Sequence, residues 1–258
     1  MIAPELLILI GLLVGTLGTL VGAGGGFIMI PVFLFLYPDI EPEKLTALSL
    51  IVIFFNALSG SFAYGRKKRI DYRSGLLFAI ASVPGALLGA TVIQGFDRHR
   101  FDPFFGFVIV LLATYLIVRS FRKNESNSAF DLSHRFQLPR EKLPLGILLS
   151  MGVGFISSLL GIGGGIVHVP LLVQVLGYPV HIATATSHYV MIFMTGAGSI
   201  THLINGDLAG RETEILCLAP GVIVGAQVGA KLSERVNGKW IIRILALALG
   251  IVGLRLLS

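Results

Sequence analysis

Apolar residues in this chain fall in long blocks, not in alternation. Residues 6–20, 45–63, 76–93, 104–118, 145–160, 180–203, 215–230 and 240–254 are nearly free of charge, and a helix needs about 17–25 such residues to cross a bilayer. These blocks predict about eight spanning helices. A membrane barrel would alternate apolar and polar positions over about ten residues, and these blocks do not.

Two blocks end in sequence that a helix should resist: "GAGGGFIMIP" at 22–31 and "GIGGGIVHVP" at 161–170. Glycine costs about 1 kcal/mol per helix position relative to alanine. Pro31 and Pro170 remove a backbone donor each. Each segment therefore predicts helix, extended break and a short half-helix starting near Phe27 or Ile166, read as a Gly-broken helix or a re-entrant hairpin. Lipid cannot satisfy the freed backbone groups, so such breaks belong inside protein or beside a wet cavity.

The two segments are copies. Gly22, Gly24, Gly25, Gly26 and Pro31 recur as Gly161, Gly163, Gly164, Gly165 and Pro170, each displaced by 139 positions (22 to 161). "TALS" at 46–49 returns as "TATS" at 184–187, and "PGALLGA" at 84–90 as "PGVIVGA" at 220–226. The fold class predicted is an all-α polytopic membrane protein of two homologous repeats: residues 1–121, a polar cytoplasmic linker at 122–143, and residues 144–258.

Charge changes the picture in one respect. Of 258 residues 13% are charged and 54% hydrophobic, with a net charge of +6; a soluble domain has about 25% charged residues. The basic residues Arg66, Lys67, Lys68, Arg69 and Arg73 fill one loop, and Arg119, Arg122, Lys123, Arg135, Arg140 and Lys142 surround the linker. Clusters beside spans mark the cytoplasmic side, and without a recognition module they give no reason to expect nucleic acid. The counterpart of the 65–73 loop, near 204–212, has only Arg211 beside Asp207 and Glu212, whereas 231–239 is more basic than its own counterpart at 94–102. Opposite biases favour inverted repeats; two parallel sets of four spans is the alternative. The N-terminal block has no preceding Lys or Arg, unlike a cleaved signal peptide, and is read as a retained helix. Cys217 is the only cysteine, so neither an intrachain disulfide nor a cysteine-based zinc site is available. No metal or cofactor is implied.

The breaks suggest chemistry. A half-helix presents unsatisfied N–H groups and a positive dipole end, which together suit an anion. Two facing copies would converge near the bilayer midplane. The candidate binding residues are Gly24, Gly25, Gly26, Gly163, Gly164 and Gly165, with Thr46, Ser49 and Asn56 from the first repeat and Thr184, Ser187 and His188 from the second. His168, in the second half-helix where the first has Met29, joins them. Close helix packing is the competing role for glycine, and it fits Gly11, Gly15, Gly85, Gly89, Gly221, Gly225 and Gly229 by spacing. None of the fourteen Asp and Glu sits within an apolar block, so no carboxylate proton relay is visible.

With its paired G-x-G-G-G segments, each followed five residues later by proline, and with "TALS" and "TATS" downstream, the chain resembles the sulfite exporter TauE/SafE family of membrane transporters along nearly its whole length. The resemblance implies a non-enzymatic secondary transporter in the plasma membrane of a bacterial or archaeal cell. It would pass small anions such as sulfite, sulfonates or related organic acids. The alternatives are an anion channel, or an intramembrane hydrolase using Ser199 with His202 or Ser187 with His188.

Overall fold

The computed structural model describes residues 3–121, 138–233 and 238–257; most of the 122–143 linker and the centre of the 231–239 loop lie outside them. The described residues form ten helices. They are α1 Pro4–Val21, α2 Gly26–Leu36, α3 Pro42–Arg66, α4 Tyr72–Val92, α5 Arg98–Phe121, α6 Leu143–Leu160, α7 Gly165–Gln174, α8 Val180–Asn205, α9 Glu212–Leu232 and α10 Gly238–Leu257. Short 3-10 turns at Ile93–Gly95 and Arg140–Lys142 precede α5 and α6. Among the described residues six helical segments are long and apolar enough to cross a membrane. The 26-residue α8 is not among them, because its inner face carries Thr184, Ser187, His188, Thr195, Ser199 and His202, all buried. Outward faces are apolar, with Leu13, Leu88, Leu148 and Leu216 exposed, as lipid requires.

Local sequence sets the helix starts. Proline occupies the first turn of α1, α3 and α6, where its missing N–H costs nothing. Asp71 caps α4, accepting from the Ser74 N–H at 3.3 Å.

The glycine breaks are tighter than an extended segment. Gly22, Gly24 and Gly25 have φ of 83°, 77° and 90°, and Gly161, Gly163 and Gly164 have 66°, 76° and 74°, left-handed values that other residues adopt only with strain. The N–H groups of Ala23 and Gly24 both bond to the Gly18 carbonyl, so the chain turns back on itself. α2 begins at Gly26 and α7 at Gly165, one residue ahead of the expected starts.

Side-chain contacts fix which ends lie together. At the first end, Arg98 donates to the carbonyls of Ile40 and Leu34, and Gln94 to Asp207. This gathers the end of α2, the start of α3, the end of α4, the start of α5 and the end of α8. At the second end, Lys67 donates to the Ala230 carbonyl, Tyr178 to Asp71, and Lys142 to the carbonyls of Val175 and Leu176. That gathers the other ends of α3, α4, α8 and α9 with the start of α6 and the end of α7. The α1–α2 hairpin thus enters from the first end and returns to it, whereas the α6–α7 hairpin does the same from the second.

Helix packing follows an exchange rule: α1 lies on α9 as α6 lies on α4, α3 on α9 as α8 on α4, α5 pairs with α10, and α3 with α8. Glycines allow the closest of these approaches. A Cβ on Gly85 would lie 2.0 Å from the Met151 carbonyl oxygen, and one on Gly221 2.3 Å from that of Ile8. Backbones meet there because no side chain intervenes.

Candidate functional site

The two hairpin tips pass one another inside the bundle. A Cβ on Gly26 would fall 2.6 Å from the carbonyl carbon of Ile162, and one on Gly165 2.8 Å from that of Ala23. Each break therefore touches the other directly. Beyond the crossing, each tip rests on the long helix of the opposite half: Gly22 faces Thr184, with its absent Cβ 2.6 Å from the threonine methyl, and Gly161 faces Thr46.

Backbone donors remain at both starts. The Gly25 carbonyl accepts the N–H groups of Ile28 and Met29, and the Gly164 carbonyl those of Val167 and His168. Gly26, Phe27, Gly165 and Ile166 have N–H groups with no acceptor among the described residues. These orphan donors carry the positive end of each helix dipole.

The space around them is closed by apolar side chains. Ile53 of α3 and Met191 of α8 occupy matching positions of the two halves. The Met191 sulfur would meet a Cβ on Gly24 or Gly165 at 2.8 Å, and Ile53 lies against Gly26 and Gly163. Val14 closes on Gly25 and Met194 on Gly164 in the same way. The breaks are thus also tightly packed, the competing role weighed for glycine in the sequence.

The polar candidates divide. Ser49 donates to the Gly161 carbonyl at 2.6 Å, and Asn56 donates to that of Gly24 at 2.6 Å while accepting from Thr19 at 2.8 Å. Thr46 bonds back to the Glu43 carbonyl, a local bond of the kind threonines make in helices. In the second half the Ser187 hydroxyl and His188 Nε2 are buried without a partner among the described residues. His188 Nδ1 lies 3.2 Å from the Thr184 carbonyl, and its ring meets Tyr64 edge-on. His168 turns elsewhere, to Ser150 at 3.2 Å and to the Phe78 ring. The structure does not bring the two histidines together.

Neither proposed nucleophile pair is assembled. Ser199 Oγ and His202 Nε2 each lack a partner, so that hydroxyl does not bond that imidazole, and the same holds for Ser187 and His188. A nucleophile without its base has no activation. Among the described residues no cluster of three His, Cys, Asp or Glu could hold a metal ion.

Two contacts were not anticipated from the sequence. Thr19 had no signal beyond its place in an apolar block. Asp207 had one: Gly206, with φ of 82°, ends α8 in the left-handed conformation, and the Asp207 N–H bonds back to the His202 carbonyl. A glycine just past a helix end commonly folds the next residue back in this way.

The sulfite exporter TauE/SafE family model matches residues 7–256. The chain belongs to this family. It is also similar to proteins named as probable membrane transporters. A probable membrane transporter protein of Bacillus subtilis, YunE, is 31% identical over 265 residues, covering 98% of this chain and 96% of that protein. One from Methanocaldococcus jannaschii is 30% identical over 266 residues, covering 98% and 94%. No solved structure matches the chain. This TauE/SafE protein is accordingly an integral membrane protein of a transporter family.

Proposed function

We propose that the protein is a secondary transporter of small anions, of the chemical class of sulfite, sulfonates or related organic acids. The anion binds near the midplane, between two repeats of inverted orientation. The carrying observation is the convergence of two helix N-termini with unpaired N–H groups at one crossing point. Backbone donors recognise negative charge while tolerating differences in the rest of the ligand. Ser187 supplies a side-chain donor on the α8 side, and Thr46, Ser49, Asn56, Thr184 and His188 shape the walls. His168, on the second half-helix itself, ties that helix to α6 through Ser150.

Inversion is supported by helix directions. Three crossings, α3 to α5, separate a hairpin entered from one end from a hairpin entered from the other, which reverses the second repeat. In this reading residues 1–121 are the first repeat, 122–143 the linker and 144–258 the second repeat. The second end carries Arg66, Lys67, Lys68, Arg69, Arg73, Arg140, Lys142 and Lys231, and we place it in the cytoplasm of a plasma-membrane protein.

The packing of Ile53 and Met191 at the crossing favours a carrier over a channel, since a channel needs a continuous pore. Reconstitution into liposomes tests both. Counterflow of labelled sulfite or a sulfonate against the unlabelled anion supports a carrier. Conductance without counterflow identifies a channel, and movement of cations alone overturns the anion reading.

A further inference from the structure

At the first end a histidine is paired with a carboxylate at the margin of the bundle. His202 is fully buried, with its side chain at 0% exposure, and its Nδ1 lies 2.6 Å from Asp207 Oδ2. The same oxygen accepts from Gln94 of the 93–95 turn at 2.8 Å, so α8 and the end of α4 meet on one carboxylate. Asp207 is 10% exposed. Its partner Gln94 lines a cleft of about 490 Å3 that also includes Glu43 and Arg98. One side of the pair is therefore next to water and the other is inside the protein.

The inward atom is His202 Nε2. It is buried and has no partner among the described residues, as have the hydroxyls of Ser199, one turn away, and of Ser158 and Ser157 on α6. The Ser158 hydroxyl would lie 2.7 Å from a Cβ on Gly198, and Ser157 packs against Gly164 at the start of the second half-helix. Unpartnered hydroxyls thus lie on α8 one turn from His202, and on α6 beside Gly198 and beside the second glycine break. In the first half the positions of His202 and Ser158 are satisfied, since Tyr64 donates to the Thr19 carbonyl and Thr19 to Asn56, while Ser61, at the position of Ser199, is buried without a partner as well.

The hydrogen bond fixes the tautomer. With Nδ1–H donating to Asp207, Nε2 carries the lone pair, and it is the atom open to a proton. The protonated ring keeps its bond to Asp207, which provides the counter-charge a buried imidazolium requires. The other groups facing the pair are few. Glu43 of α3 lies within electrostatic reach of Asp207, Gln94 and Ser158 are neutral, Arg98 pairs with Asp102, and Arg211 with Glu214.

We propose that His202, held by Asp207, is the site at which one proton is taken up at Nε2 to travel with each anion. The proton adds to the lone pair of Nε2 from the inward side, where the unpartnered hydroxyls lie, and leaves the same nitrogen when the anion is released, while Nδ1–H keeps its bond to Asp207 throughout. No bond other than N–H forms or breaks. The proposal rests on the anion-transport reading and deepens it by naming the coupling ion and its seat.

The test uses full-length protein in liposomes loaded with a pH-sensitive dye. Methanesulfonate is the first probe, because a sulfonate stays ionised and cannot carry the proton itself, and sulfite is the second. One proton crossing one pH unit supports about tenfold accumulation of a monovalent anion, and wild-type protein is expected to reach it with protons moving alongside. His202→Gln should keep counterflow, which reports folded protein, and lose gradient-driven accumulation. If His202→Gln fails to fold, Asp207→Asn bears the same test, since it keeps an acceptor oxygen and removes the counter-charge. His99→Gln, exposed at the same end, should behave as wild type. Tenfold accumulation by either folded variant, or anion movement by wild type without protons, overturns the proposal while leaving the anion reading intact. Failure of wild type to move any anion defeats that reading, and this proposal with it.

Discussion

Ser49 Oγ of the first half donates to the carbonyl of Gly161, the first glycine of the second half's break, at 2.6 Å. Its counterpart Ser187 has no partner. The two serines hold matching positions in the repeated sequence but differ in bonding, and their substitutions should separate. Ser49→Ala strands a buried carbonyl and should cost about 1–3 kcal/mol, read as a lower melting temperature of purified protein. Ser187→Ala should leave the melting temperature unchanged and reduce anion transport per folded molecule. Equal effects on stability from both would remove Ser187 from the binding site.

Ile53 and Met191 fill the crossing point. Ile53→Ala and Met191→Ala should each destabilise by about 2–5 kcal/mol and shift transport toward bulkier sulfonates, because they open space beside the orphan N–H groups. Competition by sulfonates of increasing chain length measures the shift. Unchanged size preference in folded variants would move the binding site away from these two residues.

The basic end is expected inside the cell. In a Cys217→Ser background, Lys68→Cys should resist an impermeant thiol reagent in intact cells, and Arg100→Cys at the opposite end should react. The reverse labelling would turn the protein over in the membrane, and equal labelling would remove the case for a fixed orientation.

Tyr178 sits in the loop between α7 and α8, where it donates to Asp71 Oδ2 at 2.9 Å. Burial, and then the Asp71 carboxylate, pushes its phenol up from the ordinary value of 10.0. The proton is held more tightly in the folded chain, so the stabilisation is complete below pH 10.0 and declines as pH rises toward the folded value. Wild-type stability should fall relative to Tyr178→Phe by up to about 1.4 kcal/mol per pH unit above that point. Parallel unfolding curves for the two from pH 9 to 11 would contradict it, a range chosen about one unit either side of an ordinary tyrosine.

Much of the fold was legible because membrane helices announce themselves through unbroken apolar length. The glycine segments were legible as breaks because three glycines and a proline leave a helix few alternatives. Their geometry was not. A run such as Gly22 to Gly26 permits either an extended stretch or a left-handed turn, and what selects the turn is the Gly18 carbonyl, which receives two N–H groups. The packing of Ile53 and Met191 between the breaks was also invisible, because nothing in an apolar block says which side chain points to the centre. Asp207 was passed over for a similar reason: it follows the helix in sequence, and only the turn at Gly206 folds it back to His202.

The seating of α1 on α9 sets an order of assembly during synthesis. Gly85 of α4 meets Met151 and Phe155 of α6 after about 70 further residues, some 4–14 s at about 5–20 residues per second. Gly11 of α1 waits about three times as long for Leu218 and Val222. The middle of the bundle can therefore close first, while the notched face of α1 stays open to lipid until α9 emerges. A chain truncated before Glu212 lacks the surface on which α1 rests, and its unburied glycine notch gives membrane proteases a defect to recognise.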